Sequence, residues 1–169
     1  MTKRIIWSLL FILGAVLLQS ILLSRLTLRF FAMPDITLCI LVYFAYVNGT
    51  MPGQITGFLS GFIIDIFSVA DLGLNSFIRT IIGGAVGFIK GTFYLDYIFL
   101  PMALCAGATF IKAIFHFLLS LIFPEIVPVY SLFGLTLWIE LGMNTVLAPL
   151  VFAFLRLFSP ILTNMKEKN

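Results

Sequence analysis

Glycine recurs every fourth residue twice between Gly53 and Gly91, and each series carries one charge. Gly53, Gly57 and Gly61 lead to Asp65; Arg79 leads to Gly83, Gly87 and Gly91. On a helix, residues four apart share a face, so each series is a stripe almost without side chains. Two such helices joined by a turn can bring their backbones close enough for dispersion and weak Cα–H···O contacts to accumulate. That pattern belongs to helix packing in lipid. The six glycines are therefore candidates for an internal seam or for a groove that receives a partner.

The rest of the chain has to be consistent with lipid as the solvent, and it is. Of 169 residues 62% are hydrophobic and only 10% charged, with a mean hydropathy of +1.17. Soluble domains carry about 25% charged residues. A soluble fold of this length could not hide so much apolar surface. With no long polar linker, residues 1–169 read as a single polytopic membrane domain. The net charge of +3 comes from basic residues near the ends and in short connections, a pattern that describes orientation. No basic run with interleaved aromatics points to nucleic acid. Cys39 and Cys105 lie inside apolar stretches and read as small buried hydrophobes. A single histidine excludes a multi-histidine metal site.

In chain order, Lys3 and Arg4 precede an apolar run from Ile5 to Leu23. It is longer than a signal-peptide core and lacks a cleavage site, so it reads as a first transmembrane helix. Ser24 to Met33 is short and amphipathic, suited to an interface. Pro34-Asp35 opens a second apolar segment to about Val47, short for a full span. A turn over Asn48 to Gly53 leads to helices over Gln54–Phe67 and Ser76–Thr92. Further helices are expected over Tyr97–Leu121 and Ser131 to about Leu157, with Pro149 as a kink. The total is about six crossings, and the excess of lysine and arginine on one side places both termini in the cytoplasm.

Asp65, Arg79, Lys112, His116 and Glu140 fall within or beside apolar segments. A charge at the bilayer centre costs about 2.5–3.5 kcal/mol on insertion scales, so such residues pair or face water. Asp65 and Arg79 are equidistant from residue 72, and Lys112 and Glu140 from residue 126. Antiparallel hairpins about those midpoints predict two intramembrane charge pairs, Asp65–Arg79 and Lys112–Glu140. His116 and Asn144 lie one turn away on matching faces and make a structural clasp or the wall of a polar cavity.

Catalytic signatures such as G-x-S-x-G, H-E-x-x-H or a phosphate-binding glycine loop are missing. A non-enzymatic role without cofactor is expected. The segment from Pro34 to Gly91 resembles the core of the rod shape-determining MreD family. The resemblance rests on Pro34-Asp35, the Gly53, Gly57, Gly61 series, Gly61-Phe-Ile-Ile-Asp65, Leu72-Gly-Leu-Asn75 and the glycine-rich fourth helix. It implies an all-α integral membrane protein, a bundle resembling the S-components of energy-coupling-factor transporters. It further implies a scaffold of the bacterial cytoplasmic (inner) membrane that supports peptidoglycan synthesis during cell elongation. The implied partners are an MreC-like bitopic protein and, indirectly, MreB filaments, a RodA-type glycan polymerase and a penicillin-binding transpeptidase. The alternative implied by the same architecture is the substrate-binding subunit of a vitamin transporter of the energy-coupling-factor type. Such subunits dock through small-residue stripes on their first helix, where this chain has Gly14 and Ala15 but then Gln19.

Overall fold

The short apolar segment that follows Pro34-Asp35 lies at the centre of the molecule. The computed structural model describes residues 2–26, 34–67, 73–91, 98–125, 127, 131–132 and 134–158, and these form six helices. They are α1 (Thr2–Leu26), α2 (Ile36–Asn48), α3 (Thr50–Phe67), α4 (Leu74–Phe88), α5 (Phe99–Ile122) and α6 (Leu135–Leu157). α5 and α6 are each long and apolar enough to cross a membrane. The expected amphipathic segment is split: Ser24 to Leu26 continue α1, and its remainder, with Arg29, lies outside the described residues.

α2 is apolar on every side, and every residue from Thr37 to Ala45 is buried. A helix without a polar face has to be surrounded, and all five other helices touch α2. Its core includes Leu38, Leu41, Val42 and Phe44, with the Tyr43 ring edge-on to Phe152 of α6 at 5.1 Å. Asp35 starts the helix by accepting a 3.0 Å hydrogen bond from the Leu38 amide, which satisfies one of the free donors of the first turn. Gly49 ends it with φ +96°, a left-handed conformation natural to glycine. α3 begins at once, so the expected turn over Asn48 to Gly53 contracts to this one residue.

α3 and α4 form the tightest antiparallel pair. A Cβ on Gly53 would strike the Gly83 carbonyl, and one on Gly83 would strike Gly53 in return. A Cβ on Gly57 would meet the Arg79 carbonyl, on Gly61 the Ser76 backbone, and on Gly87 Gly49 and Thr50. These five glycines thus line a seam where backbone lies on backbone, in the interior of the molecule. Gly91 does not belong to it. It follows the end of α4 with φ +74°, and a Cβ there would meet open space.

Candidate functional site

Four charged side chains from four helices or their caps converge beside the N-terminus of α2. The Arg79 Nη2 donates to both carboxylate oxygens of Asp35, at 2.8 and 2.6 Å. Lys112 Nζ donates to Asp35 Oδ2 at 2.9 Å and to Glu140 Oε1 at 2.6 Å. Two acids and two bases make the cluster formally neutral. Arg79 is 4% exposed, and the ammonium of Lys112 is the most accessible member. Buried charges persist only when paired and hydrogen-bonded, and Asp35 meets that condition on every side. Thr37 Oγ1 donates to Asp35 Oδ1 at 2.7 Å. The Asp35 backbone amide donates to Asn144 Oδ1 at 2.7 Å. Asn144 Nδ2 donates onward to Thr109 Oγ1 at 3.0 Å. The cluster ties α2, α4, α5 and α6 together at one level. One donor stays unmatched: Arg79 Nη1 is buried without a hydrogen-bond partner.

The expected Asp65–Arg79 pair does not form, and the glycine seam supplies the reason. Close backbone packing sets the register of α3 against α4 so that Gly57, not Asp65, lies opposite Arg79. Asp65 is eight residues further along α3, about two turns or 12 Å. Its carboxylate instead accepts from the Gly73 amide at 3.0 Å, the Asn75 amide at 3.1 Å and the Ser76 amide at 3.0 Å. It also accepts from Asn75 Nδ2 at 2.9 Å and Ser76 Oγ at 2.8 Å. The residue that opens α4 is Gly73, which has no side chain to cap the helix. Asp65 provides that cap from the neighbouring helix, and its negative charge faces the positive end of the α4 dipole.

Lys112 and Glu140 are in contact, with Asp35 as a further partner of the ammonium that the hairpin arithmetic did not contain. Asn144 is 0% exposed and is held between Asp35 and Thr109. It therefore serves as a strut of the cluster and lines no open polar cavity. His116 is half-buried one turn beyond Lys112 on α5. The residue that sequence reasoning left out of the site is Asp35. Its signal was present: a carboxylate directly before the most uniformly apolar segment, in the position of a helix cap.

Cys39 and Cys105 are both buried and free of disulfide. A cavity of about 650 Å³ lies away from the charges, in a groove between α1, α2 and α6.

Compared with models of known protein families, residues 1–158 match the one described as rod shape-determining protein MreD. No curated protein and no solved structure gives a significant match.

Proposed function

Because this chain belongs to the MreD family of rod shape-determining proteins, its role lies in rod-shape determination, and we propose that it acts there as a non-enzymatic membrane scaffold. The match over residues 1–158 carries this reading. In it, the six helices cross the bacterial inner membrane with both termini in the cytoplasm, and the molecule docks the transmembrane helix of an MreC-like partner. Through that partner it joins MreB filaments, a RodA-type polymerase and its transpeptidase. The arrangement of the charges supports a structural task, since Asp35, Arg79, Lys112 and Glu140 are engaged with one another. The glycine seam is filled by the α3 and α4 backbones, so the docking face is sought on the outward apolar sides.

Copurification with a tagged MreC-like partner tests the reading. Wild-type chain is expected to be retained. Gly57→Leu, which disrupts the seam, is expected to lose retained protein only in proportion to the loss of folded chain. Folded wild-type chain that never copurifies with the partner from native membranes would defeat the docking role.

A further inference from the structure

The four charges of the cluster do not form one indivisible knot. Arg79 of α4 pairs with Asp35 at the cap of α2, and Lys112 of α5 pairs with Glu140 of α6. Each pair is neutral by itself, and each belongs to one side of the seam between α2–α4 and α5–α6. The ion pair that crosses the seam is Lys112 Nζ to Asp35 Oδ2 at 2.9 Å, made by the most accessible member of the cluster. The Asp35 amide also crosses, to Asn144 Oδ1, while Asn144 is held from its own side by Thr109. Elsewhere rings meet across the seam: Phe77 of α4 with Phe115 of α5 at 6.2 Å, and Tyr43 of α2 with Phe152 of α6 at 5.1 Å. Apolar contacts are non-directional and strand no polar group when they part. Cys39 of α2 and Cys105 of α5, both buried and free, lie thiol to thiol across the same seam. At the far end of α6, Phe154 and Phe158 are gripped by Phe11 of α1 at 6.5 and 5.1 Å.

We propose that α5–α6 opens away from α2 and α4 at the cluster end, where the cluster divides into two neutral pairs, Asp35–Arg79 and Lys112–Glu140. Divided any other way, the cluster would leave buried charges alone, which is strongly resisted. Divided along this seam, it exchanges one ammonium–carboxylate contact and one amide hydrogen bond for contacts with water entering at the N-terminal end of α2. Each side stays intact: α3–α4 has its glycine seam, and α5–α6 has the Lys112–Glu140 and Asn144–Thr109 contacts. The Phe11 grip keeps the far end closed and makes the motion a hinge. A ligand or partner that prefers one arrangement shifts the balance between the two. The device goes beyond the scaffold role and holds whether or not an MreC-like chain docks.

The two native cysteines report the opening. Full-length chain in proteoliposomes is treated with excess N-ethylmaleimide, a small membrane-permeant thiol reagent, and followed by intact mass. Opening exposes Cys39 and Cys105 together. A first adduct keeps the seam from closing, so the mass passes from zero to two adducts with little singly modified chain. Ser60→Cys, nearly isosteric and placed at a 0% exposed position on α3, adds a thiol that stays unmodified over the same time, which separates opening from global unfolding. The swap Lys112→Glu with Glu140→Lys keeps the second pair but sets a carboxylate against Asp35. Lys112→Met with Glu140→Met removes the second pair whole and strands no charge. Each variant folds and labels both native cysteines about tenfold faster or more, the scale of one charge-assisted hydrogen bond, and Ser60→Cys stays protected in both; where only one folds, that one is read. Native thiols that react no faster than Ser60→Cys overturn the proposal. So do rates unchanged in the variants, or failure of both variants to fold.

Discussion

Arg79 and Asp35, 44 residues apart, form a 2.6 Å ion pair in which both side chains are more than nine-tenths buried. Such a pair is asymmetric under mutation. Removing one partner leaves the other charged and desolvated, which typically costs about 3–5 kcal/mol. Asp35→Asn strands Arg79 and weakens the hold on Lys112 in one step. Its thermal unfolding in detergent should show a loss of that size. A loss under about 1 kcal/mol would mean that the pair contributes little.

Lys112 provides a graded version of the same experiment. Lys112→Met abandons two carboxylates, whereas Lys112→Met with Glu140→Gln abandons only Asp35. The double variant should therefore yield more folded protein than the single one. Equal yields, measured as the monodisperse fraction after extraction, would count against the contact with Glu140 as a source of stability.

The glycine seam predicts a sharp contrast between positions with the same residue. Gly57→Ala pushes a methyl group into the Arg79 carbonyl, where only backbone movement makes room. Overpacking of this kind costs about 1–3 kcal/mol. Gly107→Ala and Gly142→Ala meet open space, and alanine favours a helix over glycine by up to about 1 kcal/mol. Melting temperatures should fall for the first and hold or rise for the other two.

Asp65 separates capping from ion pairing. Asp65→Ala removes an acceptor of five hydrogen bonds at the start of α4. Cap losses alone run to about 2 kcal/mol, and the burial of this carboxylate places it at or above that figure. The charge swap Asp65→Arg with Arg79→Asp should not recover the loss, because the two positions are not opposite each other. Recovery to near wild-type stability would restore the direct pair in place of the cap.

These cases show which parts of the molecule are legible in sequence. Four-residue spacing of Gly53, Gly57 and Gly61 with Gly83 and Gly87 was enough to place two helices face to face. It does not set their register, because the same spacing is compatible with hinges other than the loop midpoint at residue 72. Backbone packing at the glycines decides the register, and Arg79 comes to lie opposite Gly57, eight residues from Asp65. The place of α2 was hidden for a different reason. A uniformly apolar segment has the same composition whether lipid or protein surrounds it, so its short length read as a marginal span. In sequence Asp35 reads only as a helix opener, since its partners Arg79 and Lys112 come from distant elements and no local spacing links them.

The sequence distance between Asp35 and its partners also bears on how the protein is made. Synthesis delivers Asp35 to the membrane 44 residues before Arg79 and 77 before Lys112. During that interval its carboxylate has only the Thr37 hydroxyl and the Leu38 amide nearby, and an uncompensated charge resists entry into lipid. The α3–α4 hairpin carries its own seam and its own cap, all within adjacent sequence. This arrangement predicts an inverted order of assembly, in which the α3–α4 hairpin forms before α2 is enclosed, because Asp35 gains its cationic partners only once Arg79 and Lys112 have been translated.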